Sequence, residues 1–316
     1  MTQIANFIHG IYPRSAKLVQ TSRDVDRNRL SQKDLLKQEK ADLVKLFKLQ
    51  KSAAFDYIED GKLSWQDIFR PIVLATQGLE VGALTRWFNN NSFFRQPIFS
   101  KKVRLNTGKL DDFFPNTKPS KKWKVTLPSP FTFAKLSEGD ASFEERLAKT
   151  TEILQLIIKY LNKKGVSFIQ LNEPYLPYHG ANDQDLKLFI DSLKTLYKSK
   201  GNSLFAVHFY FGDAAPFVLK LCNEKLADVV GVDFYKTTLK SLPRRIPFDI
   251  IAGIVDGRNS LLENKAILRS FIKETLKRLD PKVLYIANNS DIEFLPEEVA
   301  AKKLLILKDV KTYFQK

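Results

Sequence analysis

Residues 147–213, LAKTTEILQLIIKYLNKKGVSFIQLNEPYLPYHGANDQDLKLFIDSLKTLYKSKGNSLFAVHFYFGD, carry one structural period twice. Leu147, Leu154, Ile157, Ile158 and Leu161 recur at helical spacing, Gly165 closes that run, and Val166 to Leu171 follows as a mostly apolar segment of strand length. The order then repeats. Leu186, Phe189, Ile190, Leu193 and Leu196 form the second helical stripe, Gly201 stops it, and Leu204 to Phe211 is the next strand. A helix between two such strands is the signature of a βαβ unit, which makes its strands parallel and buries both their faces.

The alternation extends in both directions. Towards the C-terminus, Val229 to Tyr235, Ile250 to Val255 and Val283 to Ala287 are strands, each followed by a helical stretch, and a last helix starts near Glu297. Towards the N-terminus, Asn6 to Tyr12 is an apolar run closed by Pro13, and Leu35, Leu43, Leu46 and Phe47 share one face of a long helix. Phe55 to Ile58 precedes Asp60-Gly61, and Lys124 to Phe133 is β-rich although interrupted by Pro128 and Pro130. Eight strands alternating with helices predict an α/β fold, a single (β/α)8 TIM barrel over residues 1–316, with an N-terminal helical excursion and a basic loop near residues 100–124. The alternative, an open doubly wound sheet, calls for a phosphate-binding loop, and neither G-x-G-x-x-G nor a Walker sequence is present. In a barrel the polar strand ends Asn172-Glu173-Pro174, Gly212-Asp213, Asp256-Gly257-Arg258-Asn259 and Asn288-Asn289-Ser290 converge on the C-terminal face, where active sites of this fold lie.

At 316 residues and 44% hydrophobic content the chain can fill one large core. A lone cysteine, Cys222, leaves no intramolecular disulfide framework; no signal-peptide pattern opens the chain, and no apolar run approaches the roughly 20 residues of a membrane span. A soluble cytoplasmic protein with no membrane contact is expected. The formal charge of +16 points to a polyanionic partner, either nucleic acid or an anionic small-molecule tail. Dispersed lysines such as Lys194, Lys198, Lys273 and Lys277 suit a solvated outer helix face, which argues against a nucleic-acid stripe. The densest basic cluster, Lys101, Lys102, Arg104, Lys109, Lys118, Lys121, Lys122 and Lys124, includes Gly108, Pro115 and Pro119 and reads as an exposed excursion.

Six motifs occur in an order shared with a known family: Tyr12-Pro13-Arg14, Asp60-Gly61, Thr85-Arg86-Trp87-Phe88-Asn89-x-Asn91, Pro130-Phe131-Thr132-Phe133, Gln170-Leu171-Asn172-Glu173-Pro174 and Val255-Asp256-Gly257-Arg258-Asn259. With them the chain resembles, over nearly its whole length, the N-terminal barrel of cobalamin-independent methionine synthase (5-methyltetrahydropteroyltriglutamate–homocysteine methyltransferase). That resemblance implies one half of a duplicated pair of barrels, whose other half carries the zinc and is associated with the homocysteine and pterin sites. The zinc-bearing half uses a His-x-Cys pair, a glutamate and a distant cysteine. Here His208 stands for the histidine, but Tyr210 replaces the first cysteine, Asp233 falls near the glutamate, Ser290 falls near the last cysteine, and Cys222 lies in a helical segment. The resemblance therefore implies no metal or other cofactor on this chain and zinc on a partner barrel.

From the same resemblance follows a non-catalytic subunit that assists methyl transfer from a methylated pterin, such as a methyltetrahydrofolate, to homocysteine in methionine biosynthesis. The family position of the anionic donor tail falls on Arg14, Lys17 and Arg86, with Trp87 beside it. Where the family has Arg-Glu-Leu-Lys, this chain has Val19-Gln20-Thr21-Ser22, so Arg14, Lys17 and Arg23 are the charges left there. Trp87, Phe88, Phe93 and Phe94 either stack on a ring or pack together. The rival enzyme reading is a free-standing methyltransferase whose acid/base groups are Glu173, His208, Asp233 and Asp256 at the barrel mouth. The structural reading of these four is that they hydrogen-bond one another and the loops. Asp256, Arg258 and Asn259 also suit an ion-paired turn and helix cap.

Overall fold

Start and stop signals place the helices. The helix of residues 143–164 begins at a capping box, Ser142 with Glu145, and ends at Gly165 with φ +80°, a left-handed conformation that a side chain would strain. The computed structural model describes residues 2–114 and 122–315. Its first half runs β1 (Gln3–Asn6), α1 (Ala16–Asp26), α2 (Gln32–Ser52), β2 (Tyr57–Ile58), α3 (Arg70–Leu74), β3 (Thr76–Arg86), β4 (Phe93–Leu105), β5 (Lys122–Pro128), α4 (Pro130–Lys135), β6 (Glu138–Gly139) and α5 (Phe143–Lys164). The second half continues β7 (Phe168–Glu173), α6 (Tyr175–His179), α7 (Asp183–Tyr197), β8 (Leu204–Phe209), α8 (Ala215–Glu224), β9 (Val229–Asp233), β10 (Asp249–Val255), α9 (Lys265–Leu279), β11 (Val283–Asn288) and α10 (Glu297–Phe314).

Eight strands form one sheet in the order β1-β11-β10-β9-β8-β7-β5-β2, parallel at every pairing. The sheet closes on itself between β1 and β2. The Asp56 N–H donates to the Asn6 carbonyl at 3.0 Å, and the Asp56 carboxylate accepts from the Asn6 N–H at 2.8 Å and from Lys311 of α10 at 2.6 Å. The fold is the (β/α)8 barrel that the alternation predicts.

Side-chain alternation fills the interior in layers. Phe7, Tyr57, Phe168 and Tyr285 meet edge to face at 5.1–6.2 Å and plug one end. Towards the C-terminal ends of the strands comes a polar layer containing His9, Glu59, Lys124, Gln170 and His208, all buried. Glu59 accepts from Lys124 at 2.7 Å, from Lys62 at 3.1 Å and from the Thr126 N–H at 3.0 Å, so these charges satisfy one another. Residues of the other parity, such as Ile169, Leu171, Val207 and Phe209, join the larger core beneath the helices.

Several elements depart from the sequence reading. Between β2 and β5 the chain builds an antiparallel hairpin, β3 with β4, and Arg86-Trp87 lies at its tip. The basic loop is accordingly two things: Lys101, Lys102 and Arg104 lie on β4, whereas Lys122 and Lys124 lie on barrel strand β5, with Lys124 wholly buried. Pro115, Lys118, Pro119 and Lys121 lie outside the described residues. The Lys124 to Phe133 run splits at Ser129, which caps α4 with Pro130 in its first turn, the position where a missing N–H costs nothing. Between β9 and β10 there is only a short 3-10 turn at Leu239–Ser241 in place of a helix, since Pro243 and Pro247 cannot sit in a helix interior. No helix among the described residues is long and apolar enough to cross a membrane.

Candidate functional site at the barrel mouth

The four candidate acid/base residues separate by strand parity. Glu173 shares the outward parity of Ile169 and Leu171, so its carboxylate faces the helix layer, where it accepts from Ser129 Oγ, from Thr132 Oγ1 at 2.8 Å and from the Leu176 N–H at 3.0 Å. Burial pushes its pKa up. His208 points into the barrel, packs edge-on to His9 at 4.1 Å and directs Nε2 at the Asn289 carbonyl at 3.0 Å. Its ring lies against Gly231, where a Cβ would come within 2.2 Å of Nδ1, and burial drives its pKa down to about 3. The imidazole is neutral, with the Nε2 proton donated to that carbonyl.

Asp233 and Asp256 do come together, through Asn289. The Asn289 amide donates to Asp233 at 2.9 Å and to Asp256 at 3.1 Å, while Arg258 reaches Asp256 at 2.7 Å and Asp233 at 3.3 Å. Asn259 completes the ion-paired turn by donating to Asp256 at 2.5 Å. The cap of the following helix α9 is Asn264, whose side chain accepts from the Ala266 and Ile267 N–H groups.

A second cluster surrounds the loops after β1, β2 and β11 and the hairpin tip. There a cavity of about 250 Å³ is lined by Ile11, Arg14, Asn91, Phe93, Glu293 and Phe294. Arg14 is half-buried; burial lowers its pKa, and the nearby carboxyls of Glu293 and Glu39, neither at salt-bridge distance, oppose that lowering. Lys17 is exposed on α1 and Arg86 is exposed at the tip, 5.8 Å from the Phe93 ring. Trp87 is buried and packs on Phe69 and Phe94, both at 5.6 Å. Next to the cavity a water-sized recess is lined by Asp67, Trp87, Asp291 and Glu293.

The sequence reading did not single out Asp67, Asp291 or Glu293. Asp291 and Glu293 continue the polar strand end Asn288-Asn289-Ser290, so following that strand end three residues further would have found them. Asp291 accepts from the Ile11 N–H at 2.8 Å and fills the space beside Gly10, whose φ of +72° and 1.9 Å clearance admit only glycine. Asp67 pins the hairpin to the barrel by accepting from the Phe69, Arg70 and Arg95 N–H groups. Burial, and for Glu293 the neighbouring Asp291 charge, pushes Asp291 up to about 6 and Glu293 up to about 8.

The donor set does not suit zinc. Tyr210 stands two residues beyond His208, the His208 Nε2 is committed to a carbonyl, and Cys222 lies in α8. Among the described residues no three His, Cys, Asp or Glu side chains gather as metal ligands. Purified protein is expected to hold less than stoichiometric zinc by elemental analysis, and one tightly held zinc per chain would contradict this.

A profile described as the cobalamin-independent synthase, N-terminal domain, matches residues 75–280. The 5-methyltetrahydropteroyltriglutamate–homocysteine methyltransferase of Herpetosiphon aurantiacus is 26% identical over 237 residues, which is 72% of this chain but 31% of that protein. The corresponding Lactococcus lactis protein is covered over 24% of its length, so the chain spans under a third of either. A methionine synthase of Saccharolobus solfataricus is 22% identical over 306 residues, covering 94% of this chain and 90% of that one. Among solved structures, a putative vitamin-B12-independent methionine synthase from Listeria monocytogenes shares the fold, with a TM-score of 0.79, 15% identity and 99% of both chains covered.

Proposed function

The chain belongs to the cobalamin-independent synthase N-terminal domain family, and from that premise we propose that it is a non-catalytic subunit of methyl transfer from a methylated pterin to homocysteine. In this reading a separately encoded zinc-bearing barrel in the same cytoplasm supplies the metal chemistry, activating the thiol of homocysteine. This chain contributes a donor-facing surface. The observation that carries the reading is Arg14, a half-buried cation that lines the mouth cavity and faces the carboxyls of Glu39 and Glu293 without a direct salt bridge to either; Lys17 is exposed three residues along on α1, and Arg86 is exposed beside Phe93, which also lines the cavity. Cations so placed attract an anionic tail, and the Phe93 ring between cavity and Arg86 offers an apolar contact.

The residues that a free-standing methyltransferase would need are engaged elsewhere. Glu173 faces the helices, and Asp233 and Asp256 are bridged by Asn289 and Arg258. The isolated chain is therefore expected not to methylate homocysteine from a methylated pterin. Robust turnover by the chain alone, with no catalytic barrel present, would overturn the assignment.

A further inference from the structure

At the root of the hairpin a cavity of about 690 Å³ is lined by β3, the outer strand of its three-stranded sheet, by the end of α3 and by the chain that follows β4. Two cations border it, Arg104 on β4 and Lys109 on the 3-10 turn Thr107–Asp112, and among the described lining residues there is no Asp or Glu. Neither cation is neutralised. Arg104 forms no side-chain hydrogen bond or ion pair among the described residues, and Lys109 makes only a long hydrogen bond, 3.4 Å, to the Leu74 carbonyl. Thr76, 3% exposed, also lines the cavity, and its hydroxyl has no hydrogen-bond partner among the described residues. The Asn106 side-chain oxygen accepts from the Gly108 N–H at 3.0 Å, which leaves its amide N–H groups as further donors beside Gln77 and Thr107. We infer that this cavity binds a small phosphorylated sugar or polyol, its phosphoryl group on Arg104 and Lys109 and its hydroxyls on the amide and hydroxyl side chains.

Charge, size and lining each favour that occupant. A dianionic phosphoryl group accepts from several donors at once, and here a guanidinium and an ammonium line one cavity with no carboxylate among the described lining residues to compete. The volume lies within the range of small-ligand pockets and exceeds what a bare phosphate ion fills. No aromatic side chain lines it among the described residues, so a nucleobase finds nothing to stack on, whereas a hydroxylated body finds amides and hydroxyls. A peptide strand added to β3 is the poorer occupant. The β3–β4 pairing shifts between Gln77 and Leu79, where Gly78 has a φ of +83°, and such bulges blunt a sheet edge. The 11 residues of β3 put the hairpin root roughly 30 Å from Arg86, at ~3.3 Å per residue, so a ligand here is separate from a donor tail at the tip and does not depend on the assisting-subunit reading.

The test is calorimetric titration of the full chain, at one fixed ionic strength, with D-glucose 6-phosphate, D-ribose 5-phosphate, D-glucose and inorganic phosphate. Saturable binding of a sugar phosphate is expected, with free glucose not binding and inorganic phosphate weaker. Arg104→Ala and Lys109→Ala should each weaken it by at least about tenfold at unchanged melting temperature, and Arg104→Lys should restore part of the loss. Thr76→Val should also weaken it without lowering the melting temperature, because it removes a buried hydroxyl that has no partner in the free chain. Arg86→Ala should leave it unchanged. Absence of saturable binding for both sugar phosphates, or inorganic phosphate binding as tightly as they do, would overturn the inference. So would binding that survives in the double variant Arg104→Ala, Lys109→Ala, or that falls as far in Arg86→Ala as in Arg104→Ala, since the anion would then sit elsewhere on the basic surface. None of these results bears on whether the chain assists a catalytic barrel.

Discussion

Replacing Glu59 by glutamine is expected to cost the fold about 3–5 kcal/mol, enough to leave a marginally stable domain largely unfolded. Glu59 is buried and takes charge-assisted hydrogen bonds from Lys124 and Lys62 as well as the Thr126 N–H. Removing its charge leaves two buried ammonium groups with no carboxylate between them. The double variant Glu59→Gln, Lys124→Met should recover part of the loss, because it removes one of the stranded charges. A pH dependence follows. Burial alone would raise the Glu59 pKa, but Lys124 and Lys62 outweigh it and hold the carboxyl below its usual range. A depressed folded value means stabilisation that is present above the ordinary glutamate pKa and lost as pH falls through the folded one. Urea unfolding should show that acid loss in the wild-type chain and a shallower dependence of stability on pH in the partly rescued double variant Glu59→Gln, Lys124→Met; an equal dependence in the two would contradict the role given to Glu59.

Arg86→Ala is expected to weaken use of the pterin donor by the assembled complex by roughly 10- to 150-fold, the range for losing one charge-assisted contact. The side chain is exposed at the hairpin tip, with a cation–π approach to Phe93 at 5.8 Å, so its removal should leave the melting temperature nearly unchanged. Arg86→Lys should recover part of the donor affinity. A lower melting temperature with donor affinity intact would assign Arg86 to local packing and remove it from the site.

Much of the barrel was legible because most of its strands are buried on both faces and read as apolar runs between capped helices. β1 was misplaced because its apolar run outlasts its ladder. After Asn6, the His9 and Ile11 N–H groups donate to the Asn288 and Asp291 side chains instead of to a neighbouring strand. The hairpin went unread because one face of β3 is wet and its pairing shifts at Gly78 and again between Val81 and Leu84, which blurs the period-two pattern. The signal that could have found it is the Asn89-Asn90-Asn91-Ser92 cluster between two β-prone runs.

Legibility of the site was uneven for a related reason. Motif order located Arg14, Arg86 and Trp87, and the structure places Arg14 and Phe93 in one cavity with Trp87 in the adjoining recess. Side-chain direction, by contrast, changes with every residue of a strand, so proximity in sequence to a strand end could not tell Glu173, facing the helices, from His208, facing the axis. Asp67 sits on a loop with no periodicity to read, and only the folded chain brings it into one recess with Glu293, which in turn lines the cavity with Arg14.

The central claim is tested most directly by titrating this chain into a fixed amount of a separately encoded zinc-bearing catalytic barrel from the same source and measuring methionine formed from homocysteine at sub-saturating methylated pterin. A saturable rise in rate that levels off near one chain per barrel, carried by a lower donor KM and absent when the barrel is omitted, is the expected result. An unchanged rate at every ratio would contradict the account.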